Sequence, residues 1–238
     1  TGNITITPDV TGITQVMHDE TASGDLSGVF GTPDVLTILA GTNTVAGTLG
    51  SNGNTGATNG NDADYFTIMV PAGHQLTSIN VDNNSGGPSF LGYRAGASFA
   101  GQGGGDIDGN VIFGNADGEI LDDLLGGAGT LGPGTYSFWV QETTSTVINY
   151  GLSFVLTPDP VVIPVTDGTQ VTVSGNTVTI NPTNDLEEGT TYSVQIDAGA
   201  VEDAAGNDFA GISDTTTWNF TTLTSNTAPV ITGGDTAI

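Results

Sequence analysis

The chain of 238 residues contains 26 Asp or Glu residues and a single Lys or Arg, Arg94, which gives it a formal net charge of −25. This charge argues against nucleic acids and anionic membranes as direct partners, and the absence of Cys excludes disulfides and zinc–thiolate sites. No stretch approaches the roughly 18 apolar residues of a membrane span. With 37 Gly and 36% hydrophobic residues, the composition is instead typical of a β-rich globular protein.

Short runs of alternating apolar residues recur between Gly, Asn, Asp and Pro, which predicts strands joined by turns. Only Ile120–Leu125 and Val201–Ala205 have the pattern of a helical turn. The predicted fold class is therefore all-β, with two sandwich domains. The predicted strands, in chain order, are Val35–Leu39, Tyr65–Val70, Leu76–Val81, Tyr136–Val140, Tyr150–Leu156, Val171–Val173, Thr177–Ile180, Tyr192–Ile196 and Thr217–Thr221.

Many carboxylates cluster with Asn and Gly at a spacing of two residues, as in Asn59–Asp64, Asp106–Asn110 and Asn115–Glu119. Hard oxygen ligands at this spacing on tight turns suit Ca2+, which takes about 6–8 oxygen ligands in proteins. Because the chain has almost no cations of its own, the clusters predict a calcium-loaded protein from calcium-rich surroundings. We therefore expect it to be secreted or on a bacterial cell surface.

Four motifs follow one another in the C-terminal part, at Thr177–Pro182, Asp185–Tyr192, Val201–Asn207 and Thr217–Thr222. In this order and spacing, the segment 161–222 resembles the bacterial Ig-like domains of large surface adhesins. The Asn226–Ile231 segment resembles the linker to a next domain of that kind. The resemblance therefore implies a monomeric piece of a longer tandem chain.

The Ig-like segment lacks its first strand, and the residues at the start of the chain resemble the missing piece. Gly2–Ile6 matches that strand, and the Thr-Pro-Asp that closes it at Thr7–Asp9 recurs at Thr157–Asp159. We therefore predict an insertion at a loop of a split domain; an ordinary tandem of two domains is the alternative. The predicted parts are the N-terminal Ig-like strand (1–9), an inserted ligand-binding β-sandwich (10–158), the rest of the Ig-like domain (159–224) and a linker (225–238).

The insert carries motifs of its own, at Gly24–Ser27, Asn61–Phe66, Val70–Gly73 and Gly132–Val140. They resemble the jelly-roll modules that follow secreted peptidases. In those modules an Asp-x-Asp-Tyr-Phe segment and an acidic N-terminal segment hold structural calcium. The resemblance therefore implicates Asp62 and Asp64 as metal ligands, with Asp19 or Glu20 as their partners.

The middle of the insert departs from the jelly-roll pattern and contains the densest run of acidic residues. Asp106, Asp108, Asn110 and Asp117 fall at ligand positions of the helix–loop–helix calcium motif, but Val111 replaces its required Gly and no helices flank the loop. We predict a calcium loop of another kind there, which would form part of a ligand site. The alternative is that these carboxylates only solvate a loop or bind structural calcium. Further predicted metal ligands are Asp122 and Asp123 nearby, and Asp203 and Asn207 in the Ig-like part.

An acidic jelly roll inserted in a split Ig-like domain resembles the peptide-binding region of giant calcium-dependent adhesins of the RTX type. That resemblance implies recognition of the C-terminal peptide of a protein on a host or partner cell, with calcium holding the terminal carboxylate. The predicted ligand-binding residues are Tyr93, Arg94, Gln102, Gly103, Gly104, Gly105 and Asp108.

Three other functions are weighed against peptide binding. A calcium-dependent lectin uses similar loops with an aromatic platform for the sugar, although Trp139 and Trp218 lie in strand patterns and are expected in the core. A structural extender needs no ligand at all. An enzyme is disfavoured, because His18 and His74 are the only histidines and neither accompanies a nucleophile motif.

Overall fold

The computed structural model describes residues 2–50, 62–143 and 146–224. The predicted Asn59–Asn61 part of one acidic cluster and the linker 225–238 lie outside these residues. The prediction of an all-β fold is confirmed, because short strands dominate the described chain. Its elements are β1 (Asn3–Asp9), β2 (Thr14–Asp19), α1 (Glu20–Ser23), β3 (Asp34–Val35), β4 (Gly41–Leu49), β5 (Ala63–Val70), β6 (His74–Ser85), β7 (Ser89–Ala95), β8 (Gly109–Phe113), α2 (Leu121–Leu125), β9 (Gly134–Glu142), β10 (Ile148–Pro158), β11 (Val161–Pro164), β12 (Val171–Ser174), β13 (Thr177–Ile180), β14 (Thr191–Ile196) and β15 (Asn219–Thr221).

The chain folds into two compact units, and the first of them is discontinuous in sequence. It combines Thr1–Asp9 with the chain from Pro160 onward, and the second unit is Val10–Asp159. We call the first the split unit and the second the inserted unit. No helix in the described residues is long and apolar enough to cross a membrane.

The N-terminal strand is an internal strand of the split unit. Strand β1 pairs antiparallel with β11, where Ile4 lies opposite Ile163, and with β14, where Ile6 lies opposite Val194. The sheet order is β11-β1-β14-β15, and β12 and β13 form a separate hairpin. Ile4 is fully buried and packs with residues from β11 and β14 in one hydrophobic cluster. The first nine residues therefore complete the core of a domain whose other strands follow Pro160.

The inserted unit is a sandwich of two sheets, with strand orders β2-β4-β10-β6 and β3-β5-β9-β7-β8. Both sheets contribute to one large hydrophobic cluster. Phe154 of the first sheet makes edge-to-face contacts with Phe66 and Phe138 of the second, at centroid distances of 5.7 and 5.2 Å. Such aromatic contacts add to the burial of apolar area that joins the layers.

Strand β4 is central to the first sheet, and yet hydrophobic alternation did not predict it. Its burial alternates regularly from Gly41 to Leu49, but Asn43 and Gly47 occupy inward positions where an apolar residue would mark a strand. Asn43 is buried because its amide group donates to the carbonyls of Leu39, Gly41 and Phe154. Because these inward residues are polar or small, a pattern based on hydrophobicity does not predict this strand.

Two other predicted elements differ from the structure. The strand predicted at Val35–Leu39 pairs only at Asp34–Val35. The helical turn predicted at Val201–Ala205 is absent, because the Asp203 carboxylate accepts the backbone N–H groups of Ala205 and Asn207 and closes a tight turn instead. The helical turn predicted at Ile120–Leu125 forms as α2.

Candidate metal centre

The candidate site begins at strand β5, whose successive side chains point alternately into two hydrophobic clusters. Phe66 and Ile68 point into the core between the sheets, whereas Ala63 and Tyr65 belong to an aromatic cluster that also contains Trp139. Since successive side chains of a strand alternate in direction, Asp64 shares the inward face with Phe66. Its side chain is fully buried. A carboxylate therefore sits at the end of the hydrophobic core.

Two further carboxyl groups lie at this end of the second sheet. Ala63 pairs with Gln141 in the antiparallel ladder, so Asp62 and Glu142 follow as the next neighbours across the two strands. Asp62 is 5% exposed and Glu142 is 6% exposed. Like charges in such cross-strand positions destabilise a sheet. Both groups therefore need a compensating partner.

The short helix α1 and the residues directly after it bring two acidic side chains to Asp64. One oxygen each from Glu20, Asp25 and Asp64 lie within 4.8 Å of one another, the one such group of three in the described residues. Glu20 is oriented by the backbone of β4, because its Oε2 accepts the N–H of Thr48 at 2.7 Å. The three carboxylates therefore come from two parts of the chain, the 20–25 segment and β5, and lie close together.

The first sheet adds a hydroxyl group to the site. Tyr150 in β10 lies opposite Gly47 in β4, and its hydroxyl donates to Asp64 Oδ2 at 2.7 Å. The other oxygen, Asp64 Oδ1, is buried and has no hydrogen-bond partner among the described residues. The same holds for Glu142 Oε2. Unsatisfied carboxylate oxygens in the interior are costly and therefore uncommon.

Burial and mutual repulsion raise the pKa of the carboxyl groups in this cluster. Burial, together with the charges of Asp25, Glu20 and Glu142, raises the pKa of Asp62 to about 7. Burial and the Glu20 carboxylate raise the pKa of Asp64 well above its ordinary range, although the bond from Tyr150 acts in the opposite direction. Burial also raises the pKa of Glu20 and of Glu142. The site thus resists full ionisation unless a cation enters it.

Sequence reasoning identified part of this cluster and missed the rest. The predicted metal ligands Asp62, Asp64 and Glu20 come together. Asp25 stands in the Gly24–Ser27 motif, but sequence reasoning missed it as a ligand. Glu142 was also missed, and no spacing signal marks it, since only strand pairing brings it next to Asp62.

Asp19, offered as an alternative to Glu20, has a different position. Its carboxylate caps α1 by accepting the N–H and the hydroxyl of Thr21, and these bonds lower its pKa. A side chain that caps a helix turns toward the N–H groups of the first turn. Glu20 is the first residue of α1, and its side chain reaches the cluster instead.

The predicted calcium loop at residues 106–117 is not assembled in the structure. Asp106 accepts the N–H of Gly103, Asp108 that of Ala95 and Asp117 that of Gly114. Strand β8, which includes Asn110, runs between Asp108 and Asp117 and pairs with β7. An extended strand of five residues separates its ends by about 13 Å, so the four side chains do not share one ion. The carboxylates stabilise separate turns.

The remaining predicted metal ligands are also used locally. Asp203 binds the side-chain amide of Asn207 as well as the N–H of that residue, and these bonds lower its pKa. Asp122 accepts the N–H of Gly129, and Asp123 lies in the first turn of α2. The structure brings none of these four into a cluster of three acidic side chains within the described chain.

The predicted ligand-binding residues lie on and beside β7. Arg94 donates to the carbonyl of Asp106 at 3.3 Å and forms a loose ion pair with its carboxylate at 4.0 Å. Gln102 donates to the hydroxyl of Tyr65. Gly103, Gly104 and Gly105 are exposed in the same loop, Tyr93 is partly buried at the end of β7, and Asp108 binds Ala95 as described above. These residues share one region of the inserted unit.

The two tryptophans differ in their surroundings. Trp139 is 8% exposed and stacks on Tyr65 within the aromatic cluster, as expected for a core residue. Trp218 is 41% exposed, which corrects the expectation that it belongs to the core. It precedes the short strand β15 at the edge of its sheet.

Comparisons with known proteins place part of this chain in a family context. Residues 140–222 match the model of the bacterial Ig-like domain family. The structure of the pre-peptidase C-terminal domain of collagenase from Bacillus anthracis aligns with 52% of this chain and 92% of its own length, at 13% identity and a TM-score of 0.26. At this TM-score the alignment does not establish a shared fold. No curated protein matches the chain.

The matched range also shows why a linear comparison misses the split. It begins in β9 and therefore includes β10, which belongs to the inserted unit, whereas β1 lies outside it. Strand β1 nevertheless occupies the middle of the sheet in the split unit. The C-terminal part of this chain is thus similar to bacterial Ig-like domains.

Proposed function

We propose that the inserted unit is a calcium-binding module of a bacterial surface protein, and that its metal site comprises Glu20, Asp25, Asp62 and Asp64. One observation carries the proposal: the buried Asp64 Oδ1 has no hydrogen-bond partner in the described structure, yet its carboxylate lies within 4.8 Å of two others. A bound cation would give that oxygen a partner. It would also offset the repulsion within the cluster.

The chemistry of the donors selects the kind of cation. The gathered ligands are carboxylate oxygens, with no Cys in the sequence and no His in the cluster. Hard oxygen donors of this kind suit Ca2+ or Mg2+, and the larger Ca2+ tolerates irregular geometry with more protein ligands. When bound, calcium would supply positive charge at the end of the core. Glu20 and Asp64 would hold it from inside, and the exposed Asp25 would face solvent.

Asp64→Asn is expected to weaken calcium binding by at least about tenfold, because it removes a charged ligand at the buried side of the site. Isothermal titration with calcium, and separately with magnesium, measures the effect. Asp108→Asn is the matched control, since its carboxylate binds only the N–H of Ala95 and an amide oxygen can accept the same bond. Equal calcium affinity for both variants and the unaltered protein would contradict the assignment of this site.

We further propose that the module binds the C-terminal peptide of a protein on a host or partner cell, as part of an adhesin. Arg94 is the only Lys or Arg in the sequence and its side chain is 34% exposed. It is therefore the one permanent positive charge that a peptide carboxylate can meet, apart from a bound calcium ion. The exposed Gly103–Gly105 segment lets a ligand backbone approach closely. We propose a binding role rather than a catalytic one for the same surface.

Peptides with a free C-terminus are expected to bind, in calcium, at least about tenfold more tightly than their amidated forms, because amidation removes the charge that meets calcium or Arg94. A library of terminal peptides and a glycan array, each with calcium or with EDTA, provides the measurement. Arg94→Gln is expected to weaken the binding of peptides with a free C-terminus and to leave the binding of amidated peptides unchanged. Binding of glycans alone would favour a lectin, and binding of neither class would favour a structural extender.

A further inference from the structure

The buried hydroxyl of Tyr150 forms a hydrogen bond with one of the two carboxylate oxygens of Asp64. Both side chains are buried in the inserted unit, and Tyr150 is only 2% exposed. The hydroxyl of Tyr150 donates to Asp64 Oδ2 at 2.7 Å. In this bond the phenol O–H donates and the carboxyl oxygen Oδ2 accepts. Oδ2 is therefore occupied by the protein, and Oδ1 is left with no hydrogen-bond partner in the described residues.

Gly47 provides the space in which this contact forms. A Cβ atom added at Gly47 would lie 2.8 Å from Glu20 Oε1 and 2.8 Å from the hydroxyl oxygen of Tyr150. The backbone of Gly47 is ordinary strand, without a positive φ, so its conformation does not require glycine. Glycine inside a strand often marks a close approach by other groups. Here it lets a carboxylate and a phenol hydroxyl lie side by side over β4.

We propose that Tyr150 is a positioning residue for the metal site: its hydroxyl holds Asp64 with Oδ1 directed at the cation, and Gly47 leaves room for Tyr150 and Glu20 together. This inference rests on the calcium site proposed above. Hydrogen bonds to a ligating carboxylate fix its orientation, and losing them typically costs about 10- to 100-fold in metal affinity. Neither residue is itself a metal ligand.

The test is calcium titration of Tyr150→Phe, which keeps the ring and removes only the hydroxyl. We expect calcium to bind about 10- to 100-fold more weakly. Tyr136→Phe is the matched control, because it removes a hydroxyl that donates to the carbonyl of Gly132 in the same unit. Its calcium affinity should equal that of the unaltered protein.

A second measurement separates positioning from a general contribution to stability. Thermal unfolding of Tyr150→Phe is compared in EDTA and in saturating calcium. A purely structural role would lower both unfolding temperatures equally and leave the calcium affinity unchanged, which would overturn the inference. If Tyr150 is a positioning residue, Tyr150→Phe lowers the calcium affinity. It also reduces the difference between the unfolding temperatures in calcium and in EDTA.

A glycine variant tests the role of space independently of the hydroxyl. Gly47→Ala is expected to weaken calcium binding at least about tenfold, whereas Gly31→Ala, where an added Cβ meets nothing within 4 Å, should leave it unchanged. If Gly47→Ala fails to fold, Tyr150→Phe still decides the matter. Normal calcium binding by Tyr150→Phe would overturn the inference and leave the proposed site intact, whereas absence of binding by the unaltered protein would overturn both.

Discussion

Saturating calcium is expected to raise the unfolding temperature of the inserted unit by about 10 °C relative to EDTA. A ligand that binds only the folded state stabilises it by about 3–4 kcal/mol at 100 to 1,000 times its dissociation constant. For a unit of this size, each 1 kcal/mol shifts the midpoint by roughly 2–4 °C. Differential scanning calorimetry in the two conditions measures the shift.

The control for this experiment is Asp64→Asn, which removes the buried ligand and should abolish most of the shift. That variant is also expected to be at least as stable as the unaltered protein in EDTA at neutral pH. The reason is that the native carboxylate is buried next to Glu20 with one oxygen unsatisfied. A midpoint that calcium leaves unchanged would rule out a site that stabilises the fold.

In EDTA, the inserted unit is expected to lose stability as the pH rises from about 4 to about 7. Folding raises the pKa of Asp62 to about 7, from an ordinary value of about 3.9. Between these values the folded state binds more protons than the unfolded state, so its stability falls as the pH increases. Asp64, Glu20 and Glu142 have raised pKa values too and act in the same direction.

The pH experiment uses urea unfolding in EDTA at intervals from pH 4.5 to 8. The slope should reach about 1.4 kcal/mol per pH unit for each carboxyl group that titrates in the window, and Asp62→Asn should reduce it. Groups whose pKa is lowered by hydrogen bonds, such as Asp167 at about 2, lose their contribution only in more acidic solution. A stability that rises with pH between 5 and 7 would contradict the described electrostatics of the cluster.

Calcium should reverse this dependence, because the ion binds the ionised carboxylates and competes with protons for them. At pH 8 calcium then stabilises the inserted unit more than at pH 5, which is the opposite of the trend in EDTA. The two curves should converge toward acidic pH, where protons displace calcium, and this comparison does not depend on any substitution.

The sequence was sufficient where a motif or a strand periodicity can be read directly from neighbouring residues. The resemblance of Asn61–Phe66 to jelly-roll modules implicated Asp62 and Asp64 as metal ligands. The side-chain period of two residues places Asp64 on the inward face of β5 with Phe66. The repeated Thr-Pro-Asp motif and the resemblance of Gly2–Ile6 to a missing strand predicted an insertion after Asp9. In the structure, β1 lies between β11 and β14.

The spacing of acidic residues was a poor guide to metal ligands where backbone N–H groups compete with a metal for the same carboxylate oxygens. The run from Asp106 to Asp117 has the linear pattern of calcium ligands, but β8 extends through it and each carboxylate turns to a nearby amide. A sequence pattern records which ligands are available and not the backbone conformation between them. For the same reason, the Asp19 carboxylate caps α1, and the neighbouring Glu20 belongs to the acidic cluster instead.

The sequence by itself determined the all-β class, the excess of carboxylates and the spacing of Asp62 and Asp64 at the start of β5. Only the tertiary structure decided what surrounds that pair. Strand pairing brings Glu142 next to Asp62 and Tyr150 opposite Gly47. Helix α1 adds Glu20, and the segment after it adds Asp25, from a distant part of the chain. These contacts depend on the register of strands far apart in sequence, which the local periodicity of any single strand does not contain.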